Sequence, residues 1–386
     1  MRFTDLTTLR VGGPVAHPHE ASTREELVDF ARAYPLAEPG EGAAPLTAPD
    51  VLFVAGGSNL LVADEGFDGP VCLIRTRGIE WQDADADGTV RVTAEAGEDW
   101  DGLVAQTVER GLSGLEALSG IPGSVGATPV QNVGAYGAEV ADCLREVLVL
   151  DRATGRERVL TPEELGFGYR TSVLKRSAAA VGAVRFVVLA VTFALRATDG
   201  AEGEGAGAAG EDAGAAVRYR QLATALDVDL GARVPVARVR DAVLALRASK
   251  GMVLDAADHD TWSAGSFFTN PILPLVDDAV GRVTAQDVLP EGAPAYPVLD
   301  HRTGEADPDV VKTSAAWLIE HAGFARGYSG GSSAASLSTK HTLALTNRGT
   351  AAAQDIVDLA RRIRAGVEEA FGIVLVPEPN LVGIDL

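Results

Sequence analysis

The stretch that decides the fold is residues 119–137, SGIPGSVGATPVQNVGAYG, in which glycines are interleaved with Ser, Gln and Asn. A shorter stretch of the same kind, AGGSNLL at residues 55–61, follows an apolar run. Small residues after a strand let backbone N–H groups approach a phosphate closely. Either motif alone is more simply a pair of surface turns. Both in one chain, each beside apolar strands, favour a cradle for a diphosphate.

The composition limits the class of protein. A chain of 386 residues suggests two or three domains. Its net charge of −21 argues against nucleic acid as a partner, because phosphate backbones are bound by clustered Lys and Arg. The longest apolar run, residues 186–195, is far shorter than the roughly 20 residues that span a bilayer. We therefore expect a cytoplasmic protein, with Cys72 and Cys143 as thiols and Cys72 buried in a strand.

Hydrophobic periodicity predicts a mixed α+β chain. A capping box, TREE at residues 23–26, predicts the start of a helix. The turn at residues 151–155, DRATG, predicts a hairpin. The other predicted strands are at 51–55, 71–74, 89–94, 146–150, 157–160 and 184–196, and the other predicted helices are at 100–108, 236–249, 314–322 and from 356 to Gly372.

A low-complexity segment separates the two halves. Every residue from 197 to 216 except Thr198 is Ala, Gly, Asp or Glu, which predicts a flexible acidic linker. It contains the pattern Gly205-x-Gly207-x-x-Gly210, which resembles a dinucleotide fingerprint. That pattern has meaning only between a strand and a helix, so we attribute it to chance.

Three side chains are candidates for catalytic residues. Ser266, in AGSFFTNP, is a hydroxyl that could donate a proton, although a serine in a glycine turn is ordinarily structural. Arg170, in GYRTS, has a planar fork suited to a carboxylate or enolate, although most arginines lie at the surface. Glu378, between two prolines, is either a linker residue or a carboxyl kept in one orientation. The histidines and cysteines show no metal-binding spacing, and we expect no metal.

Five motifs, in this order, give a resemblance to a known family: GGSNLLV, SGIPGSVGATPVQNVGAYG, GYRTS, AGSFFTNP and the terminal PEP. The chain resembles the UDP-N-acetylenolpyruvoylglucosamine reductase family (UDP-N-acetylmuramate dehydrogenase, MurB). Val217-Arg218-Tyr219 looks like the tyrosine-bearing loop of the family's longer subtype. The resemblance implies an FAD-binding region of the vanillyl-alcohol-oxidase (PCMH) type, made of two subdomains, and a C-terminal α+β substrate-binding domain.

The resemblance also implies domain bounds and cofactor contacts. The expected domains are FAD-binding subdomains at 1–75 and 76–196, the linker at 197–216, a substrate-binding domain at 217–372, and a C-terminal segment at 373–386 that returns to the active site. The expected FAD contacts are Gly56, Gly57, Ser58, Asn59, Leu60, Ser119, Pro122, Gly123, Ser124, Gly126, Ala127, Gln131, Asn132, Gly134, Ala135, Tyr136 and Gly137.

By resemblance the reaction belongs to peptidoglycan synthesis. Hydride passes from NADPH by way of FAD to the vinyl carbon of an enolpyruvyl UDP-sugar, giving UDP-N-acetylmuramate. Arg170 and Glu378 are expected to stabilise the charge that develops next to the carboxylate, and Ser266 to donate the completing proton. The expected substrate contacts are Tyr219, Lys250, Asn270, Tyr296 and Arg326.

One departure and two alternatives accompany this interpretation. Many members carry Gln where this chain has Lys340-His341, which puts that substrate contact in doubt. An FAD-dependent alcohol or lactone oxidase would share the glycine-rich motifs but need not combine Ser266, Arg170 and Glu378. A sugar-nucleotide-binding protein without redox chemistry is the alternative from another class. We expect a monomer whose partners are the UDP-sugar and NADPH.

Overall fold

The structure, a computed structural model, describes residues 1–36, 50–198, 214–277, 281–300 and 303–386. The glycine pattern at 205–210 and most of the predicted linker lie outside the described residues. The described chain forms two compact units. The terminal unit comprises Met1–Val15, Gly57–Phe67 and Leu254–Leu386, and the central unit comprises Ala16–Gly56 and Asp68–Val253. This grouping places residues 217–253 with the central unit, and the expected functional domain bounds stay a prediction.

The first helix begins with the predicted capping box. Thr23 Oγ1 accepts from the N–H of Glu26 at 3.2 Å, and the Glu26 carboxylate accepts from the N–H of Thr23 at 3.1 Å. The α-helices are α1 (Arg24–Ala33), α2 (Trp100–Glu109), α3 (Pro162–Leu165), α4 (Val173–Val181), α5 (Arg220–Leu226), α6 (Val236–Ser249), α7 (Ala285–Val288), α8 (Ala315–His321) and α9 (Ala353–Phe371). Short 3-10 turns occur at Phe3–Asp5, Glu116–Leu118, Val125–Ala127, Val140–Asp142 and His259–Thr261.

The strands are short except in the sheet of the central unit. They are β1 (Val15–Ala21), β2 (Leu52–Val54), β3 (Leu60–Val62), β4 (Phe67–Ile74), β5 (Ile79–Trp81), β6 (Thr89–Glu95), β7 (Leu112–Ser113), β8 (Gly134–Ala135), β9 (Ala138–Glu139), β10 (Leu144–Asp151), β11 (Arg156–Leu160), β12 (Phe186–Ala197), β13 (Ala215–Ala216), β14 (Arg233–Val234), β15 (Ile272–Pro274), β16 (Val276–Asp277), β17 (Gly281–Arg282), β18 (Val310–Lys312), β19 (Ala335–Leu337), β20 (Leu345–Asn347) and β21 (Asn380–Val382).

The central unit contains two main sheets. One has the order β1-β4-β2, with β2 and β4 parallel, and the other has the order β11-β10-β12-β6-β5, with β7 also paired to β12. The second sheet is antiparallel, and β10 and β11 form the predicted hairpin, with Asp151 opposite Arg156. Strand β12 is buried along most of its length, so it lies at the centre of the core rather than at an edge. Trp100 of α2 contacts Phe193 of β12, with ring centroids 5.8 Å apart.

The terminal unit is built around α9. The periodicity of α9 predicts an apolar stripe of five residues. Ile356, Leu359, Ile363 and Val367 are buried, and Phe371 at the end of the helix is partly buried. The helix ends at Gly372, which adopts a left-handed φ of 67°. The unit also contains the antiparallel pairs β15–β18, β16–β17 and β19–β20 and the parallel pair β3–β21.

Both cysteines are free thiols, and Cys72 is buried as expected; Cys143 is buried as well. Burial raises the pKa of the Cys72 thiol to about 12, so this thiol is inert at neutral pH. Within the described ranges, no helix is long and apolar enough to cross a membrane. In the same residues, His, Cys, Asp and Glu side chains form no group of three that could hold a metal ion.

Candidate active site

The two glycine-rich motifs meet in the central unit. A Cβ atom at Gly56, which follows β2, would lie only 2.5 Å from the Cα of Gly123 in the second motif. A Cβ at Gly126 would lie 2.5 Å from the Cβ of Ala96. Side chains cannot approach so closely. Glycine therefore permits backbone contact between the two motifs at Gly56, and between the second motif and the residue after β6 at Gly126. The structure thus brings together the two segments from which the phosphate cradle was predicted.

Backbone hydrogen bonds hold the second motif against the loop between β6 and α2. The N–H of Gly126 donates to the carbonyl of Ala96 at 2.9 Å, and the N–H of Val125 donates to Glu98 at 2.9 Å. Trp100 in turn donates its N–H to the carbonyl of Gly123 at 3.1 Å. These bonds order the 3-10 turn Val125–Ala127, so the loop is a fixed surface.

Asn132 and Arg170 fix the second half of this motif. Asn132 is buried at a left-handed φ of 49°, and its Nδ2 donates to the Glu139 carboxylate at 2.6 Å. Arg170, also left-handed at 54°, donates from Nη1 to the Asn132 carbonyl at 3.3 Å and from Nη2 to the Gly134 carbonyl at 2.9 Å. The guanidinium therefore supports the backbone of the predicted cofactor loop. Its contact with a substrate stays a prediction.

The rest of the first motif belongs to the terminal unit. Gly57 has φ +63°, and a Cβ there would lie 1.9 Å from the carbonyl oxygen of Leu6. Strand β3 pairs in parallel with β21, directly after Glu378. Asn59 donates from Nδ2 to the carbonyl of Glu378 at 3.3 Å and accepts from the N–H of Asn380 at 3.0 Å. Asn59 and Glu378 therefore lie side by side.

Ser266 and Glu378 lie on adjacent segments of the terminal unit. The N–H of Glu378 donates to the carbonyl of Phe267 at 2.8 Å, and Thr269 donates its N–H to Val376 at 3.0 Å. Phe267 itself donates to the carbonyl of Leu343 at 2.7 Å. Both Ser266 and Glu378 are half-buried. The structure thus places a hydroxyl and a carboxyl on neighbouring antiparallel segments, while Arg170 belongs to the central unit.

Two protein-family models match the chain. Residues 46–161 match the FAD binding domain, and residues 257–382 match the UDP-N-acetylenolpyruvoylglucosamine reductase C-terminal domain. The UDP-N-acetylenolpyruvoylglucosamine reductase of Nocardia farcinica is 56% identical over 389 residues, which cover 100% of this chain and 90% of that protein. The chain belongs to the UDP-N-acetylenolpyruvoylglucosamine reductase family.

Two further proteins of this family are similar to the chain. The enzyme of the same name from Saccharopolyspora erythraea is 52% identical, with 97% of this chain and 93% of that protein covered. The crystal structure of UDP-N-acetylenolpyruvylglucosamine reductase (MurB) from Thermus caldophilus matches with a TM-score of 0.58 and 28% identity, covering 99% of this chain and 97% of that one. These matches confirm the predicted fold class, an FAD-binding region followed by the family's C-terminal α+β domain.

FAD is the cofactor of this family member, and the structure fits it. Every expected FAD contact, from Gly56 to Gly137, falls within the matched domain. The close approach of Gly56 to Gly123 leaves no room for a side chain, so these segments present backbone rather than side chains. Which of the expected residues touch FAD stays a prediction.

Two of the expected substrate residues lie together in the central unit. The rings of Tyr136 and Tyr219 meet edge to face, with centroids 5.8 Å apart. Lys250 Nζ lies 5.6 Å from the centroid of the Tyr136 ring and donates to Gln221 Oε1 at 2.8 Å. Tyr219 is 45% exposed, so its ring is available to a ligand. Tyr136 and Gly137 also border a cavity of about 270 Å³ whose wall includes Arg218.

The other three expected substrate residues lie in the terminal unit. Asn270 accepts from the N–H of Ala315 through Oδ1 at 2.9 Å, which ties it to the start of α8. Tyr296 exchanges backbone hydrogen bonds with Lys312 of β18, and its side chain is 46% exposed. Arg326 is exposed in the loop after α8. The roles of all three in substrate binding stay predictions.

Lys340, at which the resemblance predicted a departure from the family pattern, forms an ion pair within the terminal unit. Its Nζ lies 2.5 Å from Asp258 Oδ2, and that carboxylate raises the pKa of Lys340. Nearby, Asp260 accepts from the N–H of Thr339 at 2.9 Å and from Arg348 at 2.7 Å. Lys340 thus has a structural partner within the terminal unit.

Thr8 and Asn347 hold the turn that carries Ser266, and the sequence did not predict this role for either residue. Thr8 Oγ1 donates to the carbonyl of Ser263 at 2.6 Å. Buried Asn347 donates from Nδ2 to the carbonyls of Leu9 and Arg10, each at 3.1 Å, and its N–H donates to Trp262 at 3.0 Å. The N-terminal segment is therefore attached to the start of the turn, directly at Ser263 and through Asn347 at Trp262. No local sequence signal marks a lone Thr or Asn for such a role.

We expect Thr8→Val to destabilise the protein by about 1–3 kcal/mol. Valine keeps the shape of threonine but leaves the carbonyl of buried Ser263 without this donor. The free energy of unfolding, measured in denaturant, tests this. Thr224→Val is the control, because Thr224 bonds the carbonyl of Arg220 on an exposed helix and should change the stability by about 0.5 kcal/mol or less. Equal effects of the two substitutions would show that Thr8 does not brace the turn.

Proposed function

We propose that the protein catalyses the NADPH-dependent reduction of UDP-N-acetyl-3-O-(1-carboxyvinyl)glucosamine to UDP-N-acetylmuramate, in peptidoglycan synthesis. The observation that carries this proposal is the 56% identity, over 100% of this chain, with the UDP-N-acetylenolpyruvoylglucosamine reductase of Nocardia farcinica. The match of residues 46–161 to the FAD binding domain supports the cofactor, and the neighbouring Ser266 and Glu378 segments support the chemistry.

When bound, FAD supplies a two-electron carrier between the nicotinamide and the vinyl group. The residues of the chain then have electrostatic and proton-transfer tasks. Arg170 and Glu378 stabilise the negative charge that develops beside the substrate carboxylate. Ser266 holds the proton that its Oγ gives to the carbon bearing that carboxylate, which completes the lactyl ether. One NADPH and one proton are consumed for each double bond reduced.

The substrate is held, in this proposal, by Tyr219, Lys250, Asn270, Tyr296 and Arg326. The packing of Tyr219 and Lys250 around Tyr136 supports their assignment to one ligand, because Tyr136 belongs to the cofactor motif. Burial and the charge of Arg247 lower the pKa of Lys250. A bound diphosphate would oppose this lowering of the pKa, because an opposite charge beside the ammonium favours its charged form.

We further propose that the protein acts as a monomer in the cytoplasm and binds no nucleic acid. The net charge of −21 supports the last point, because it repels a phosphate backbone while leaving room for local cationic pockets. Sedimentation of the purified protein would test the monomer, with a concentration-dependent dimer as the contrary result.

We expect the purified protein to be yellow, with flavin absorbance bands at about 370 and 450 nm. NADPH should bleach the 450 nm band under anaerobic conditions, and the enolpyruvyl sugar nucleotide should restore it without oxygen. An alcohol or lactone oxidase would instead be reduced by its alcohol and reoxidised by oxygen. A folded protein that neither retains nor takes up FAD would refute the proposed function and leave the sugar-nucleotide-binding alternative.

A further inference from the structure

Arg170 has a backbone conformation that is unfavourable for an arginine. Its φ of 54° lies in the left-handed region, which few residues other than glycine and asparagine adopt without cost. Such conformations persist only where the surrounding structure holds them, and they are frequent in active sites. Arg170 lies in a tight turn, in which Gly168 and Thr171 exchange two backbone hydrogen bonds, at 3.1 and 3.2 Å. Contacts around this turn therefore hold Arg170 in place.

Both ends of the turn are attached to the second glycine-rich motif. At the start of the turn, Asn132 Nδ2 donates to the carbonyl of Gly168 at 3.3 Å. After its end, Ser172 Oγ donates to the carbonyl of Val130 at 2.7 Å. Asn132 and Ser172 are both fully buried, so water cannot replace either bond. The motif thus fixes the backbone on both sides of Arg170.

The side-chain amide of Asn132 is used within the protein. Its Nδ2 also donates to the Glu139 carboxylate at 2.6 Å, and its Oδ1 accepts from the N–H of Ala141 at 3.1 Å. Together with the bond to Gly168, these contacts occupy both amide hydrogens. The sequence predicted Asn132 as a cofactor contact, but its amide has no further hydrogen to donate to FAD.

The main chain of Asn132 contacts the guanidinium of Arg170 directly. The carbonyl of Asn132 accepts from Arg170 Nη1 at 3.3 Å, and the carbonyl of Gly134 accepts from Nη2 at 2.9 Å. A Cβ at Gly134 would lie 3.2 Å from Nη1, so glycine permits this close approach. Asn132 therefore holds both the turn that carries Arg170 and one side of its guanidinium.

We propose that Asn132, together with Ser172, is a positioning residue for Arg170. The inference rests on the proposed function, in which Arg170 stabilises the charge that develops beside the substrate carboxylate. Such stabilisation depends on where the guanidinium lies before the charge develops, because a preorganised group does not have to move during the reaction. Asn132 thus acts on the reaction through Arg170 and not through FAD.

The test compares Asn132→Gly with Arg170→Lys, with Ser172→Ala and with the double variant of Asn132→Gly and Arg170→Lys. Glycine adopts the left-handed φ of 49° freely, so Asn132→Gly removes the amide and keeps the backbone. Arg170→Lys removes the planar fork. Asp227→Gly is the matched control, because Asp227 is another left-handed residue of the central unit and is exposed at the end of α5. FAD content and melting temperature are measured for every variant.

We expect Asn132→Gly to retain FAD and to be reduced by NADPH at close to the normal rate. Its reoxidation by a saturating concentration of the enolpyruvyl sugar nucleotide should slow by about 10- to 100-fold, as for a misplaced catalytic group. The concentration that gives half of the limiting rate should change by less than about threefold, because Arg170 acts on charge that appears only in the transition state. The double variant should be within about twofold of Arg170→Lys, because Asn132 acts only through Arg170. Asp227→Gly should behave as the unchanged protein does.

Three results would overturn the inference. Loss of FAD from Asn132→Gly would show that Asn132 serves the cofactor, and equal slowing of both half-reactions would show that it serves only the fold. Multiplied effects in the double variant would show that Asn132 acts independently of Arg170. If Asn132→Gly does not fold, Ser172→Ala decides. Selective slowing of reoxidation then supports the inference, and an effect no larger than that of Ser177→Ala, which removes a hydroxyl bonded to a carbonyl within α4, contradicts it.

Failure of the proposed function gives a different result. If the enolpyruvyl sugar nucleotide does not reoxidise the unchanged protein, or reoxidises Arg170→Lys at the normal rate, the proposed function or the role of Arg170 is wrong, and the inference falls with it. If the unchanged protein is reoxidised, Arg170→Lys is slow and Asn132→Gly is normal, only the inference is wrong.

Discussion

Ser266→Ala should leave the reduction of FAD by NADPH close to its normal rate and slow the reoxidation by the enolpyruvyl sugar nucleotide by about 10²- to 10⁴-fold. The proposed proton transfer from Ser266 belongs only to the second half-reaction, so the first does not require its hydroxyl. Stopped-flow absorbance of the flavin at about 450 nm measures the two half-reactions separately. Ser266→Cys should recover part of the second rate, because a thiol also donates a proton.

A control in the same turn separates proton donation from turn structure. Ser263 Oγ accepts from the N–H of Gly265 at 3.2 Å, so Ser263→Ala removes a hydroxyl that shapes the turn without being the proposed donor. We expect it to alter the two half-reactions by similar factors. If Ser266→Ala also slows both half-reactions equally, or neither, then Ser266 fills a turn and is not the acid.

Local sequence signals predicted the elements whose stability is itself local. The capping box at Thr23 and the turn at residues 151–155 specify their own backbone hydrogen bonds, and both occur as predicted. Helix α6 begins and ends at the predicted residues, Val236 and Ser249, because its apolar face repeats with helical period.

The missed elements depend on distant contacts. Strand β1 contains Pro18 and two histidines, an unfavourable strand composition, and it occurs at the edge of its sheet, where a proline costs no central hydrogen bond. Helix α4 lacks a side-chain cap at Ser172, so its start gave no signal. The parallel pairing of β3 with β21 joins residues about 320 positions apart, which no local pattern specifies.

In the candidate site, too, the sequence predicted residues but not the contacts between distant segments. The resemblance predicted Ser266 and Glu378, and the structure places their segments side by side through the bond from Glu378 to Phe267. Glycine composition predicted the cradle but not that Gly56 would contact Gly123.

The buried guanidinium of Arg152 should contribute far more to the stability of the central unit than an exposed ion pair does. Its side chain is fully buried and donates to the carbonyl of Tyr34 at 2.8 Å, to that of Val184 at 2.7 Å and to Asp50 at 2.6 Å. It also lies 5.6 Å from the ring centroid of Phe53. Because Asp50 is 36% exposed, the cost of removing Arg152 comes mainly from the two carbonyls and the lost packing.

We therefore expect Arg152→Ala to lower the free energy of unfolding by about 3–5 kcal/mol. Arg32→Ala is the matched control in the same unit. Arg32 lies 3.8 Å from Glu157, and both side chains are more than 40% exposed, so its loss should cost about 1 kcal/mol or less. Denaturant titration followed by circular dichroism measures both variants, with FAD content recorded in parallel. Equal destabilisation by the two substitutions would contradict the argument, because it would mean that burial and the carbonyl partners of Arg152 add nothing to an exposed ion pair.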